Sequence, residues 1–261
     1  AIMGTYPPGS TFKPTQALIG LQEGVISSSV AFPCYHGFNY KGLHLGCHGH
    51  SSPISLIPAL GTSCNAYFCW NLMRLFSNRR KFQTVQDAMT CWKDHLVAMG
   101  YGYRLGIDLP GEKRGMIPNA EFYDKAYNGR WNALTVISIS IGQGEVTATP
   151  LQIANLAATI ANRGWFITPH VARSIQGERL APEYVEKRHT LVDPRWYTPI
   201  VAGMRRAVLT GTCTSANLPG IEVCGKTGTA QNPRGADNSV FICFAPKDDP
   251  KIAVAAYVEN A

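Results

Sequence analysis

The C-terminal stretch constrains the fold of this chain most. Residues 223–230, 239–245 and 252–258 are short runs rich in strand-forming residues, divided by turn-forming segments. Pro246-Lys-Asp-Asp-Pro-Lys251 reads as a hairpin loop. Connections this short make neighbouring strands antiparallel, since a parallel pair needs a long crossover. What precedes is mainly helical. Apolar residues recur at helical spacing after residue 13 (Ala17, Leu18, Leu21, Val25) and over 84–98 (Val85, Met89, Trp92, Leu96). Residues 54–76 read as one helical segment, and 194–208 as another. Thr149 as N-cap, Pro150 as first residue and Gly164 as stop bound a further helix with an apolar stripe through Leu151, Ala154, Ala157, Ile160 and Ala161. Residues 27–55 read as loop-rich, 135–141 as a β-branched run closed by Gly142-Gln143-Gly144, and 165–175 as extended. Helices followed by an antiparallel sheet make the class α+β.

Tyr6-Pro-Pro-Gly-Ser-Thr-Phe-Lys-Pro14 marks where the first helix begins. The Pro-Pro-Gly turn leads into Ser10, and Pro14 is tolerated in a first turn, where its missing N–H has no intrahelical partner anyway. Ser10 and Lys13, three apart, then share a face at a helix N-terminus. That place suits a nucleophilic serine whose proton a neutral amine accepts, with backbone N–H groups ready for an oxyanion. Ser-x-x-Lys alone also fits a capped helix with a solvated lysine.

Two later stretches join it. Ser63-Cys64-Asn65 lies in the helical region, and Lys226-Thr227-Gly228-Thr229 lies on the first terminal strand. Ser-x-x-Lys, Ser-x-Asn and Lys-Thr-Gly, in that order, form the signature of penicillin-recognising serine acyl-transferases. The chemistry explains the residue types. Ser10 attacks a carbonyl and Lys13 takes its proton. Lys226, a second cation, helps keep Lys13 neutral. Ser63 relays a proton to the leaving amine, and Asn65 positions Lys13 and the substrate amide. Gly228 leaves room for substrate along the strand edge. Thr227 and Thr229 hold a terminal carboxylate, and the N–H groups of Ser10 and Thr229 form the oxyanion hole.

Residues 6–14, 61–68, 106–112, 141–164 and 224–231 together resemble the transpeptidase domain of class B penicillin-binding proteins, of the elongation type. The likeness covers essentially the whole chain, so residues 1–261 are expected to be one transpeptidase domain with the penicillin-binding and serine β-lactamase-like fold. That family's domain has two strands before the Ser-x-x-Lys helix and a helix after the last strand. Against it this chain is expected to be truncated at both ends, with three terminal strands. The resemblance implies a peptidoglycan D,D-transpeptidase that cross-links stem peptides through a serine acyl-enzyme and is acylated by β-lactams. It implies no organic cofactor, a place on the periplasmic face of the bacterial inner membrane, and a membrane glycan polymerase and cell-elongation proteins as partners. The rival readings are a serine β-lactamase, which needs a deacylating Glu such as Glu112, Glu121 or Glu145, a non-catalytic β-lactam sensor, and a scaffold.

Net charge is +7 with pI near 9.0, but basic residues cluster only locally and no nucleic-acid motif occurs, so no nucleic-acid partner is expected. A basic surface also suits an anionic cell-wall polymer or a membrane face. Eight cysteines are many for 261 residues. Cys69, Cys91, Cys213, Cys224 and Cys243 sit in apolar or strand-like contexts and read as small buried residues. Cys34, Cys47, His50 and Cys64 form a candidate metal set, with Cys47-x-x-His50 as a zinc half-site and His48 as substitute for His50. A Cys34–Cys47 disulfide with a buried Cys64 is the alternative. Some elongation-type relatives carry zinc near the active site, bound in part by the cysteine inside Ser-x-Asn. Resemblance therefore implies a structural zinc that ties the loop to the helix bearing Ser63 and Asn65.

Overall fold

The computed structural model describes residues 1–174, 176–230 and 235–260. Its helices are α1 Lys13–Gln22, α2 Leu56–Gly61, α3 Asn65–Phe76, α4 Val85–Ala98, α5 Ala120–Tyr127, α6 Pro150–Ala161 and α7 Tyr197–Thr210. Its strands pair as three small ribbons and one sheet. The ribbons are β1 Ala31–Phe32 with β4 Ile54–Ser55, β2 Gly37–Tyr40 with β3 Leu43–Gly46, and β5 Trp165–Phe166 with β6 Arg188–His189. The sheet is β7 Cys224–Ala230, β8 Asn238–Ala245 and β9 Ile252–Val258, antiparallel in that order, with Lys226 opposite Ile242 and Ile242 opposite Ala255.

Local signals set most helix boundaries. Thr149 and Gln152 form a capping box at α6, with Pro150 in the first turn; Thr84 and Asp87 do the same at α4. Asn119 caps α5, a helix the sequence reading does not anticipate. Helix α1 is buried on every side from Lys13 to Leu21, which marks it as the central element rather than a surface helix. Its polar groups are satisfied inside: Trp92 Nε1 donates to Gln16 Oε1 at 2.9 Å, and Asn71 Nδ2 donates to the Gln16 carbonyl at 2.6 Å. Phe12, at its head, meets Tyr101 and Trp92 edge-on at 5.5 and 6.3 Å between centroids. Burial of each such ring contributes roughly 1.5–3 kcal/mol. Helix α6 packs on β8 and β9, and α7 packs on α2 and β7.

Four expectations need correcting. The single helix over 54–76 is two, because Ser63 adopts φ +59°, outside helical space, between α2 and α3. The β-branched run at 135–141 is not a strand. Residues Ile137–Ile141 form a 3₁₀ turn, closed by Ser140 Oγ donating to the Ile137 carbonyl at 2.6 Å and packed against α3. Burial there overrides strand propensity. The loop-rich region 27–55 holds the β1–β4 and β2–β3 ribbons, and in 165–175 only Trp165–Phe166 is strand, residue 175 lying outside the described residues.

Candidate active site

A cleft of about 410 Å³ opens between the sheet and the helices. One wall carries Ser10, in a 3₁₀ turn Gly9–Phe12 that runs directly into α1 at Lys13. With three residues per turn, positions three apart eclipse, which puts Ser10 above Lys13. Strand β7 closes on this turn so tightly that a Cβ on Gly228 would lie 3.0 Å from the Thr11 nitrogen and 3.1 Å from the Ser10 nitrogen. Glycine is favoured there by close approach, not by dihedral angle. From the other side Gly142, at φ +70°, accepts from the Gly9 N–H at 2.9 Å, and a Cβ on it would stand 2.2 Å from the Gly9 carbonyl oxygen. Thr227, Gly228 and Thr229 all line the cleft, and Thr227 Oγ1 donates to Thr212 Oγ1 at 2.7 Å.

The opposite wall carries Ser63 and Asn65. Both meet Lys13, whose Nζ donates to Asn65 Oδ1 at 2.6 Å, to the Ser63 carbonyl at 2.7 Å and to Ser63 Oγ at 3.1 Å. The left-handed backbone of Ser63 costs of order 1–3 kcal/mol and turns both of its oxygens onto one amine. Lys13 and Lys226 are fully buried behind the cleft surface. Burial pushes Lys13 down to about 8, against the raising influence of nearby cysteines. Burial, then the Lys13 charge, pushes Lys226 down to about 7, while its Nζ donates to the Thr227 carbonyl at 2.8 Å. The sequence reading expects both burial and the second cation to keep Lys13 neutral. In the structure burial is the main cause at both, and repulsion between the two is felt at Lys226. The structure thus brings Ser10, Ser63, Asn65, Thr227, Gly228 and Thr229 to one cleft, with both lysines beneath it.

The four metal-set residues also converge. One ligand atom from each of Cys34, Cys47, His50 and Cys64 lies within 4.8 Å of the others, and all these cysteines are free thiols, so the disulfide alternative is not what the structure has. His50 Nδ1 is 2.8 Å from the Ser51 carbonyl, which directs the Nε2 lone pair inward, where it is buried without a partner among the described residues. Cys47 Sγ accepts the Asn65 N–H at 3.0 Å and the Ala66 N–H at 3.3 Å, at the start of α3, and Cys64 Sγ accepts the Tyr67 N–H at 3.4 Å. A hydrogen bond from Cys64 is the first cause holding Cys47 down to about 4, and the same contact raises Cys64. The donor set suits a closed tetrahedral site of three sulfurs and one imidazole. The same loop touches the wall that carries Ser63, since Asn65 Nδ2 donates to the Gly46 carbonyl at 2.6 Å. His48, the substitute ligand, lines the cleft instead.

Gln143, Thr212 and Asp237 line the cleft too, and the sequence reading assigns them nothing. Gln143 Nε2 donates to the Thr229 carbonyl at 3.1 Å, and its place between two glycines is a usable signal. Thr212 and Asp237 carry none. Cys91 and Cys243 are half-buried rather than buried. The three glutamates weighed for a deacylating base are all engaged outside the cleft. Glu112 is buried and accepts the Leu105 and Gly106 N–H groups at 2.8 and 2.9 Å; Glu145 accepts from Tyr123 Oη at 2.6 Å; Glu121 pairs with Lys125 on the surface.

Residues 1–261 match the penicillin binding protein transpeptidase domain. The chain is 31% identical to the peptidoglycan D,D-transpeptidase MrdA of Acinetobacter baumannii, over all of this chain and 40% of that protein. It superposes on Pseudomonas aeruginosa PBP2 in complex with WCK 5153 with a TM-score of 0.81 at 28% identity, covering all of this chain and 57% of that one. It is also similar to a chain of a peptidoglycan synthase complex that coordinates polymerization and crosslinking (TM-score 0.80, 27% identity, 98% of this chain, 43% of that one). The chain thus spans about two-fifths of the length of its first curated relative.

Proposed function

Because this chain belongs to the penicillin-binding protein transpeptidase family, we propose that it is the acyl-transfer domain of an elongation-type peptidoglycan D,D-transpeptidase. The observation that carries the reading is the convergence of Lys13 Nζ on Ser63 and Asn65 beneath a cleft that Ser10 lines. Ser10 Oγ attacks the carbonyl of the penultimate D-Ala of a stem peptide while neutral Lys13 accepts its proton. The oxyanion lies against the N–H groups of Ser10 and Thr229. As the intermediate collapses, Ser63 Oγ passes a proton from the lysine pair to the departing D-Ala amine. The acyl group stays on Ser10 until an amine of a neighbouring stem takes it. Thr227 and Thr229 hold the terminal carboxylate, and Gly228 lets the peptide lie along β7. A β-lactam enters the same path at its ring carbonyl and stops at the acyl-enzyme. By this reading the domain works on the periplasmic face of the inner membrane, beside a glycan polymerase and cell-elongation proteins.

Zinc is the metal that the set of Cys34, Cys47, Cys64 and His50 suits best. Cys34, Cys47, Cys64 and His50 would hold it with no open position, so its contribution would be structural; Cys47 Sγ accepts the first N–H groups of α3, next to Asn65 and its contact with Lys13.

Fluorescent penicillin labelling with intact-mass analysis tests the function. A lasting adduct of one penicillin supports the transpeptidase. Nitrocefin hydrolysis at many turnovers per second, in the ordinary enzyme range, would transfer the chain to the β-lactamase reading. No adduct at all would leave a scaffold.

A further inference from the structure

Away from the cleft, the far end of α1 holds a second cluster of metal-ligating side chains. Glu23 caps α1, and Cys91 and His95 stand four residues apart on α4, hence on one face of that helix. One ligand atom from each of the three lies within 4.8 Å of the others. The Glu23 carboxylate and the His95 ring are each only 5% exposed, and His95 Nε2 lies 2.8 Å from Glu23 Oε1. The other ring nitrogen, Nδ1, is buried with no partner among the described residues. Nε2, which faces the carboxylate, is the nitrogen placed to share an ion with Glu23, and Nδ1 is then the nitrogen that carries the ring proton.

The three side chains border a cavity of about 490 Å³. Among the described residues its walls carry three carboxylates, Glu23, Asp87 and Asp94, and no lysine or arginine. Glu23 has one cationic partner, Lys81, which reaches its second oxygen from the loop before α4 and is half exposed, free to swing into water. Buried imidazole, thiol and carboxylate beside an acidic cavity that admits water are the parts of a site for a small, borderline-soft divalent cation.

We propose that Glu23, Cys91 and His95 bind a divalent transition-metal ion of the zinc class, with water from the cavity completing the coordination. On binding, the Cys91 thiol gives its proton to solvent, the His95 ring proton sits on Nδ1 so that Nε2 is free to bind, and the Lys81 ammonium leaves Glu23 for water. Imidazole and thiolate select this class over calcium or magnesium, which favour all-oxygen sites. The ion fastens the C-terminal end of α1, whose opposite end carries Lys13, onto α4.

Cobalt(II) titration of the metal-free, reduced chain, followed by thiolate-to-cobalt absorption and metal analysis, tests this. The wild-type chain should bind one more equivalent than Cys91→Ser, with unchanged thermal melting and penicillin acylation reporting that the variant folds. The comparison is a difference, so it reads this site whether or not the Cys34 cluster also binds metal. Lys81→Met removes the competing cation and should tighten the added equivalent several-fold, a response that an ion-pair network alone does not give. Equal stoichiometry in wild type and folded Cys91→Ser leaves only an ion-pair network and overturns the proposal. Should Cys91→Ser fail to fold, Lys81→Met decides: unchanged or weaker cobalt binding overturns it equally.

Discussion

On the Ser10 side of the cleft, positions are set by main chain against main chain; on the Ser63 side they are set by sulfur. Ser10 is wedged between Gly142, where a methyl group would meet the Gly9 carbonyl at 2.2 Å, and Gly228, where it would press on the Thr11 and Ser10 nitrogens at 3.0–3.1 Å. Asn65 is instead held by its N–H on Cys47 Sγ and its amide on the Gly46 carbonyl, in a loop half open to solvent. Among the described residues the first wall contains no thiol and leaves no room for a side chain at Gly142. The second tolerates small changes of volume but depends on the chemical state of its thiols. Lys13 joins the two, since it leaves the Ser10 turn and donates to both Ser63 and Asn65.

The largest expected effect tests the first wall at its centre. Ser10→Ala should abolish the penicillin adduct seen by intact mass while leaving the thermal melt unchanged; a variant that still gains one penicillin removes Ser10 from its role. Next is Gly142→Ala. Its methyl cannot fit 2.2 Å from the Gly9 carbonyl, so the Ser10 turn must shift. A displacement near 1 Å lowers rates by about 100-fold, and acylation should fall by that order. An unchanged acylation rate would mean that the turn is not held by main-chain packing.

Cys47→Ser probes the other wall. Weakening the acceptor of two helix-start N–H groups costs about 1–3 kcal/mol, and a chain of this size loses roughly 2–4 °C of melting temperature per kcal/mol. Acylation should fall less than in Gly142→Ala. Chelator treatment of metal-loaded protein should lower the melt of the wild type by more than that of Cys47→Ser. Equal responses would erase the contrast between the walls.

The smallest effect is a matter of pH. Lys13 accepts the Ser10 proton only when neutral, and its protonation is lost as pH rises through about 8. Acylation should therefore rise with pH across that value, after the earlier deprotonation of Lys226 near 7. A flat profile between roughly pH 6 and 9 would refute a lysine base titrating there.

What was legible in the sequence follows the same division. The terminal strands, α4 and α6 are written in periodicity and caps, and the three motifs are short enough to read directly. The break at Ser63 is not, because serine rarely takes a positive φ; Gly61, which ends α2, is the one local cue. The turn at Ile137–Ile141 carries strand-forming residues that burial puts to another use. The sulfur cluster was readable in part: Cys47-x-x-His50 is a local spacing, whereas Cys34 and Cys64 join it only through the paths of β1 and α2. Cys91 and His95 are four apart, but Glu23 comes from a different helix and no local pattern announces the three together.

The left-handed backbone at Ser63 has a consequence for how this protein can be improved. Only glycine adopts φ +59° without penalty, and its usual entropic cost, about 0.5–1 kcal/mol, is offset there by relief of the strain. Ser63→Gly should therefore melt close to the wild type while losing the hydroxyl that meets Lys13. Stability and activity are separable at this position, and selection for heat resistance alone cannot keep the serine. A thermostability screen without an acylation step would accept glycine at 63 and return well-folded, impaired proteins.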